Sequence, residues 1–429
     1  MVFDQTVEDV FGALWALDPG WAVYLGKHEY DGQVPDWSEV AVGRRLGDLE
    51  RLGAELSQLD GLDGDQELDR ELLIAEIAKT RFEWLTLRTA NRNPMVWVYL
   101  LDPDLYMKRH YAPEPDRAAV VIRLLGSADT VLDLARSRLD AVLARTIVEW
   151  GITAARGLAT MIEMSLDEML AMAEADLAAH LEAFVATATD LDPHRSPREV
   201  YDKYGASVHA ERGELVAETE QMLEDIRSFL IDHDVITVPS DVRARVAETP
   251  GHLRWAFAMM DTPGPYETEA TEAYYYVTPT EDDWDDAKAE EWLKALNTFA
   301  LEDISIHEAY PGHYVHFLHY DSAPTEVSRR LASYAFTEGW AHYTEQMMWE
   351  VGYRAGDPRF RLAQLSEALV RNCRFVCAIR LHAHGMTVAE ATEFFVENAF
   401  YQETPARKEA ERGTFDPGYY SYTVGKLQI

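Results

Sequence analysis

A seven-residue segment, H-E-A-Y-P-G-H from His307 to His313, most constrains how this chain can fold. Two histidines and an adjacent glutamate, with Glu338 following 25 residues after His313, are side chains of the kind that build catalytic zinc sites. The histidines are six residues apart, so on a straight α-helix their side chains would diverge by roughly 120°. Pro311 and Gly312 lie between them, and proline kinks or unwinds a helix. The sequence therefore predicts an interrupted helix whose two imidazoles reach one metal ion.

The predicted zinc ligands are His307, His313 and Glu338. Catalytic zinc commonly takes three protein ligands and leaves a fourth position for water. Glu338 opens an apolar, aromatic-rich helical segment, where a solvated acid is not expected. Glu308 is the predicted general base, because metalloproteases place a glutamate next to the first histidine ligand.

Other polar side chains near these motifs leave alternatives open. His316 follows His313 by three residues and His342 follows Glu338 by four, so each could share a helix face with a ligand. A ligating imidazole usually donates its second N–H to a carboxylate or carbonyl. The acids expected to support the ligands in this way are Glu302, Asp303 and Glu345.

These motifs resemble those of a large bacterial family known as domain of unknown function 885, whose members look like zinc metallopeptidases distantly related to the thermolysin-like group. The family pattern reads H-E-x-x-P-G-H, then E-G-W-A-x-Y-x-E, then arginine with histidine eight residues later, and finally Y-x-x-G. In this chain the last two motifs fall on Arg374 with His382 and on Tyr422 with Gly425. The segment from Tyr30 to Ser38 is similar to the family's opening, so the resemblance spans nearly the whole chain.

The resemblance implies roles for three further side chains. His382 and Tyr422 match positions expected to donate a hydrogen bond to the oxyanion of a tetrahedral intermediate. Arg374 would bind a substrate carboxylate or an acid that supports a ligand. Bound zinc would lower the pKa of its water to about 7 and polarise the scissile carbonyl, and Glu308 would take the water's proton.

Residues 273–279, A-Y-Y-Y-V-T-P, are predicted to form a short strand, because aromatic and β-branched residues favour strands and proline suits a strand end or sheet edge. By resemblance to thermolysin-like enzymes, we expect an edge strand that pairs with an extended substrate. The predicted substrate-binding side chains are Tyr274, Tyr275, Tyr276 and Arg374. A buried aromatic strand or a loop is the alternative.

The remaining sequence predicts a mostly α-helical fold: a two-lobed, metallopeptidase-like arrangement with a small β element beside the active-site cleft. Apolar residues recur at helical spacing over residues 65–87, 115–144, 166–188 and 198–231. Predicted helix starts are the capping boxes of Ser165 with Glu168 and Thr387 with Glu390, and the first-turn prolines Pro197 and Pro358. A chain of 429 residues exceeds the usual size of a single core. We therefore expect an N-terminal helical lobe (1–195) and a C-terminal catalytic lobe with the zinc site (196–429), joined at a hinge at 190–197. One continuous domain is the alternative.

Composition excludes several classes of partner. A formal net charge of −36 argues against nucleic acid, which requires a basic face, and disfavours anionic membranes. The N-terminus lacks the basic and apolar regions of a secretory signal. No stretch of the sequence has 18 apolar residues in a row. Cys373 and Cys377 are expected to be reduced packing residues, so the sequence predicts a cytoplasmic protein.

The sequence thus predicts a zinc-dependent hydrolase that cleaves peptide bonds, with a short peptide or small amide as substrate. Its oligomeric state stays open. One alternative is a metal-dependent hydrolase of a small non-peptide amide or biosynthetic intermediate. Another is a non-catalytic helical metal-binding protein. Glu308 argues against the latter, because a structural zinc site is closed by four ligands and needs no base.

Overall fold

A computed structural model of the protein describes residues 2–140, 165–254 and 257–429. Helices account for most of these residues and the strands form one small sheet, so the mostly α-helical fold class is confirmed. No helix in these ranges is long and apolar enough to cross a membrane. The chain divides into two compact units. Unit 1 comprises Met1–Gly157, Pro263–Thr271 and Tyr320–Ala332, and unit 2 comprises Leu158–Thr262, Glu272–His319 and Ser333–Ile429.

The first half of the described chain contributes short and medium helices. They are α1 (Val2–Leu17), α2 (Pro19–Tyr24), α3 (Glu39–Leu56), α4 (Gly64–Phe82), α5 (Thr89–Arg92), α6 (Met95–Tyr99), α7 (Asp104–Lys108), α8 (Glu114–Gly126), α9 (Ala128–Arg138), α10 (Leu166–Leu191), α11 (Pro197–Val200) and α12 (Leu215–Asp232).

The second half contains the sheet and the helices that carry the predicted site. The strands are β1 (Arg245–Glu248), β2 (Ala258–Asp261) and β3 (Tyr274–Val277). The helices are α13 (Asp286–Ala295), α14 (Thr298–Glu308), α15 (His313–Leu318), α16 (Glu326–Arg330), α17 (Tyr334–Glu350), α18 (Pro358–Ala383), α19 (Val388–Asn398), α20 (Glu403–Phe415) and α21 (Ser421–Gln428).

The four predicted long helices are found in part. Residues 65–87 are covered by α4 and a following π-helical turn, and residues 166–188 fall within α10. Residues 115–138 form two helices that meet at Ser127, and residues 141–144 lie outside the described ranges. The predicted continuous helix over 198–231 is wrong, because α11 and a π-helical turn end at Gly205 and α12 begins at Leu215. Gly213 between them has φ +94°, a left-handed conformation that a right-handed helix cannot include.

The predicted helix start signals are confirmed. Ser165 and Thr387 each form a capping box with the glutamate three residues later. Pro197 and Pro358 each occupy the first turn of their helix. These caps fix where α10, α11, α18 and α19 begin.

Helix α18 forms the centre of unit 2. Its residues are buried along most of its length, as expected of a helix that contacts neighbours on several sides. Helix α10 packs its apolar face against it, with Met169, Leu177 and Phe184 in the same core as Phe375 and Val376. Helix α10 therefore belongs to the same unit as the site helices, although the predicted hinge at 190–197 does lie between two helices.

The sheet contradicts the prediction of an edge strand at residues 274–277. The strand order is β1–β3–β2, with β3 parallel to β1 and antiparallel to β2. Both edges of β3 are therefore already paired, and Tyr275 is fully buried. The strand itself is confirmed, and its aromatic residues serve the packing of unit 2. The outer edges of the sheet belong to β1 and β2.

Candidate metal centre

The helix that carries the first histidine is interrupted between Glu308 and His313, as predicted. Helix α14 ends at Glu308, the Tyr310–Pro311 peptide bond is cis, and α15 begins at His313. A Cβ atom on Gly312 would lie 1.8 Å from the backbone oxygen of His307, so only glycine permits this close return of the chain. The interruption lets the second histidine approach the first from a new helix.

Trp340 holds the interruption from the neighbouring helix α17. Its indole Nε1–H donates a hydrogen bond to the backbone oxygen of Pro311 at 3.0 Å. The carbonyl oxygens freed where a helix ends need such partners. The tryptophan of the E-G-W-A motif thus ties the position of α17, and of Glu338 two residues earlier, to the segment between the histidines.

His307, His313 and Glu338 converge on one point. The two imidazole centroids are 4.8 Å apart, and Oε2 of Glu338 lies 3.4 Å from Nε2 of His307 and 3.5 Å from Nε2 of His313. Two ligand atoms at about 2.0–2.1 Å from a tetrahedral zinc ion lie roughly 3.4 Å apart. The three side chains therefore fit a zinc ion.

The electrostatics of this cluster favour a cation. Oε2 of Glu338 is buried and has no hydrogen bond of normal geometry to any residue that the structure describes. Burial alone would raise the pKa of Glu338, but the two imidazoles outweigh it and hold that pKa well below its usual range. Burial alone would lower the pKa of His307, but contacts with Glu338 and Glu345 raise it to about 10. Without a metal, a proton on the imidazole supplies the positive charge that these carboxylates attract.

Glu345 contacts the imidazole of His307, as predicted for an acid that supports a metal ligand. Its Oε1 is 2.7 Å from Nδ1 of His307 and its Oε2 is 2.9 Å from Nδ1 of His342. Arg371 lies 3.1 Å from Oε1 of the same buried carboxylate. Burial would raise the pKa of Glu345, but Arg371 and His342 hold it well below its usual range. An ionised acceptor at Nδ1 leaves the Nε2 lone pair of His307 free for a metal.

The other two acids that were expected to support the ligands, Glu302 and Asp303, do not contact an imidazole in this way. Glu302 binds Arg354 and Tyr353 rather than an imidazole. Asp303 is fully buried, and neither of its carboxylate oxygens has a hydrogen-bond partner among the described residues. Burial and the charge of Glu345 raise its pKa well above the usual range.

Two glycines bring the C-terminal helix α21 against α17. A Cβ on Gly339 would lie 2.3 Å from the carbonyl carbon of Gly425, and a Cβ on Gly425 would lie 1.8 Å from the backbone oxygen of Ala335. Only glycine at both positions allows this approach. It places the ring of Tyr422 6.0 Å from that of His307, with the two planes at 21°. Tyr422 thus lies beside the metal centre, remote from it in sequence.

The chemistry of Tyr422 suits a hydrogen-bond donor. Burial first, and then the charge of Glu338, raise the pKa of its hydroxyl, so the proton is retained at neutral pH. The guanidinium of Arg374 lies 5.4 Å from the centroid of the Tyr422 ring. Arg374 also donates two 2.8 Å hydrogen bonds to Glu409, so its guanidinium already binds a carboxylate of the protein.

His382 and the tyrosines of β3 are placed differently from Tyr422. The Nε2–H of His382 donates to the backbone oxygen of Gly413 at 2.7 Å, within a buried environment. The hydroxyl of Tyr275 is 3.1 Å from Oγ of Ser305 on the helix that bears the first ligand. The rings of Tyr274 and Tyr276 stack on each other at 5.6 Å. The catalytic and substrate-binding roles expected of these residues stay predictions.

Two contributors to the site escaped the sequence analysis. Met260 on β2 donates its backbone N–H to Oε2 of Glu308 at 2.9 Å. A backbone donor leaves no side-chain signature, so no pattern could have identified it. Arg371 could have been suspected, because it precedes Arg374 by three residues on one helix and so lies on a similar face.

Two solved structures have the same fold as this chain. One is described as "a putative lipoprotein of unknown function from Shewanella oneidensis", with a TM-score of 0.80 and 21% identity over 100% of this chain and 92% of that one. The other, "the putative lipoprotein from Colwellia psychrerythraea", has a TM-score of 0.57 and 18% identity over 93% of this chain and 71% of that one. No curated protein matches the chain.

These structures overturn the prediction of a cytoplasmic protein. Each is described as a "putative lipoprotein", so the cytoplasmic assignment is wrong. A family model described as "Bacterial protein of unknown function (DUF885)" matches residues 154–429. This match covers more than half of the chain, which therefore belongs to the DUF885 family of bacterial proteins.

Proposed function

We propose that this protein is a zinc-dependent hydrolase that cleaves peptide bonds. His307, His313 and Glu338 would hold the metal, and Glu308 would act as the general base. The observation that carries the proposal is the position of Oε2 of Glu338, 3.4 and 3.5 Å from the two Nε2 atoms. Ligand atoms around a tetrahedral ion have this spacing, and a glutamate adjoins the first histidine.

The protein's own groups account for the movement of protons. When bound, zinc supplies a Lewis acid that polarises the scissile carbonyl and activates water. Glu308 would accept one proton from the attacking water and deliver it to the leaving nitrogen, so the carboxylate is regenerated in each turnover. The hydrogen bond from Met260 N–H to Glu308 orients this carboxylate. Tyr422 would donate a hydrogen bond to the oxygen of the tetrahedral intermediate.

The outer edge of β2 favours an extended peptide over a small amide. All four residues of β2 have partners in β3, and the N–H of Thr278 donates to the oxygen of Phe257 at 2.9 Å. In an antiparallel pair every second residue is hydrogen-bonded to the partner strand, so, counting from Phe257, the backbone N–H and C=O groups of Ala258 and Met260 point away from β3. Met260 N–H contacts Glu308, so this edge adjoins the general base. Backbone pairing along such an edge binds extended peptides with little dependence on sequence.

A digest of a peptide mixture tests the proposal. Zinc-loaded protein would be incubated with peptides of diverse sequence, and the products would be identified by mass spectrometry. Products should form with the wild-type protein and be absent with Glu308→Gln, which excludes a contaminating protease. Equal products from both proteins, or no cleavage of any peptide by zinc-loaded protein, would contradict peptide hydrolysis at this centre.

A further inference from the structure

A buried lysine on the C-terminal helix α21 contacts a buried histidine on helix α10. Lys426 is 9% exposed and His180 is 7% exposed, and Nζ of Lys426 lies 3.4 Å from Nε2 of His180. Lysine is almost never buried to this extent unless it has a partner. Both residues belong to unit 2, so the contact joins α21 to α10 within that unit.

Hydrogen bonds on the other side of the His180 ring determine where its proton lies. Asn372 of α18 donates its Nδ2–H to Oδ2 of Asp176 at 2.6 Å, since an ionised carboxylate only accepts hydrogen bonds. The amide oxygen of Asn372 therefore faces Nδ1 of His180, at 2.8 Å, and accepts its proton. A neutral imidazole with its proton on Nδ1 has a lone pair on Nε2. This lone pair accepts a hydrogen bond from Lys426.

The contact between these two side chains requires a neutral imidazole. A proton added to Nε2 of His180 would remove the acceptor and leave two positive groups 3.4 Å apart in a buried place. Like charges at this distance repel strongly where water is excluded. Burial first, and then the charge of Lys426, lower the pKa of His180, in agreement with this geometry.

The charges around the pair do not compensate a second proton. Two carboxylates and two guanidiniums surround it, so the charge of Lys426 is already in excess among these groups. The charged and titratable side chains that face Lys426 or His180 are Asp176, His342, Glu345, Arg361 and Arg371.

Helix α21 connects this contact to the candidate metal centre. Tyr422 precedes Lys426 by four residues, so the two side chains lie on a similar face of the helix. The ring of Tyr422 is 6.0 Å from that of His307. A loss of the contact between α21 and α10 would therefore also displace Tyr422.

We propose that the contact between Lys426 and His180 is an acid-sensitive anchor, which holds α21 in place near neutral pH and releases it when His180 takes up a proton. This inference does not rest on the proposed function, because release of the helix requires neither metal nor substrate. The close contact of Gly425 with Gly339 also positions α21, but glycine has no side chain to titrate. The anchor therefore supplies the dependence on pH.

Hydrogen exchange of residues 421–429 in the full-length protein tests the anchor. Mass spectrometry would give protection factors at pH 7 and pH 5, which removes the intrinsic pH dependence of amide exchange. A histidine that titrates near 6.5 only after release should lower protection by up to about 25-fold over this interval. His180→Gln keeps a donor for Asn372 and an acceptor for Lys426 but does not titrate, so it should abolish this part of the loss.

Two further variants separate the anchor from general effects of acid. His194→Gln, at an exposed histidine of unit 2, is the matched control and should keep the wild-type pH dependence. Lys426→Met removes the ammonium, so a protonated His180 can stay in place and protection should depend less on pH. His342 is present in all of these proteins, so its own titration cancels in the comparison.

Two results would overturn the anchor. One is equal pH dependence of residues 421–429 in wild type and His180→Gln. The other is wild-type protection of this segment that stays constant from pH 7 to pH 5. Either result leaves the proposed function untouched, because the measurement involves no turnover.

Discussion

Glu338 and Glu308 are two carboxylates of one site whose surroundings give them different chemistry. Glu338 is close to two imidazole nitrogens, which stabilise its ionised form and direct one oxygen to the place of the metal. Glu308 adjoins a ligand, but its carboxylate is held by a backbone N–H of β2. In the proposed function, the first carboxylate would therefore bind the metal and the second would take the proton of the attacking water.

The ligand assignment predicts zinc content. Purified protein should contain about one zinc per chain, and His307→Ala, His313→Ala or Glu338→Ala should each lower that content sharply, because two remaining ligands hold zinc weakly. Elemental analysis by plasma mass spectrometry measures it. His316→Ala is the matched control and should retain zinc. Full retention by His313→Ala together with loss by His316→Ala would exchange the roles of these two histidines.

The base assignment predicts a specific loss of turnover. Glu308→Gln keeps the size of the side chain and an acceptor for Met260 N–H but cannot take a proton. Zinc content should stay unchanged, while kcat on a cleaved peptide falls by at least about 10²-fold. Glu393→Gln, on helix α19, is the control and should leave kcat unchanged. Turnover at the wild-type rate in Glu308→Gln would exclude Glu308 as the base.

Tyr422 gives a third prediction, which concerns the transition state. Tyr422→Phe removes only the hydroxyl, so packing of the ring beside His307 is retained. If the hydroxyl stabilises the oxyanion, kcat should fall by roughly 10- to 10³-fold with KM little changed, since the interaction exists mainly in the transition state. Steady-state kinetics on a cleaved peptide separates the two parameters. A change confined to KM would assign Tyr422 to substrate binding instead.

The candidate metal centre is assembled from helix ends and close helix contacts. The interruption between α14 and α15 turns the second histidine toward the first, and the contact of α17 with α21 brings in Tyr422. Both depend on backbone approaches that only glycine permits, at Gly312, Gly339 and Gly425. The precision of the site is therefore set by main-chain packing.

This packing predicts the effect of a single methyl group. Gly425→Ala would place Cβ 1.8 Å from the oxygen of Ala335, so α21 must shift away from α17. Overpacking of this kind typically costs about 1–3 kcal/mol of stability, and kcat should fall because Tyr422 moves. Urea unfolding and peptide kinetics measure the two effects. Gly418→Ala is the matched control, since its Cβ would meet only a side-chain oxygen at 3.7 Å. Equal stability of the two variants would show that α21 adjusts freely.

The helix interruption could be predicted from the sequence because its cause, a proline and a glycine between the two histidines, is local. The sequence also predicted the caps of α10 and α19, where the signal lies within four residues. It failed at β3, where aromatic content indicates a strand but not which neighbours pair with it. Strand order depends on contacts remote in sequence, and so does the hydrogen bond from Met260 to Glu308. Such features carry no local pattern to read.

Buried charged and polar groups next to the candidate metal centre make the stability of the whole molecule depend on pH. His342 is fully buried; its Nδ1 contacts Glu345, and its Nε2 has no hydrogen-bond partner among the described residues. Burial lowers the pKa of His342 to about 3. In the unfolded chain the same imidazole titrates near its ordinary value of about 6.5. Between pH 6.5 and pH 3 this imidazole is therefore protonated in the unfolded chain but neutral in the folded protein.

Metal-free protein should therefore lose stability as the pH falls from about 6.5 toward 3. The slope from this one group reaches at most about 1.4 kcal/mol per pH unit. His342→Asn, which keeps a donor for Glu345 but does not titrate, should unfold with a flatter dependence on pH. Urea unfolding at pH 7, 6 and 5 measures this, with His384→Asn at a more exposed histidine as the control. Identical pH dependence in wild type and His342→Asn would contradict the assignment.

Gly339 and Gly425 are 86 positions apart in the sequence but fill one small space between two helices. This contact limits which substitutions the protein can tolerate at either position. In a genetic screen, an alanine at either position cannot be rescued by shrinking the other, because both residues are already the smallest available. The atom that blocks a side chain at Gly425 is the backbone oxygen of Ala335, which every amino acid carries. Revertants of Gly425→Ala should therefore restore glycine, and a random library should be as intolerant at these two positions as at the metal ligands.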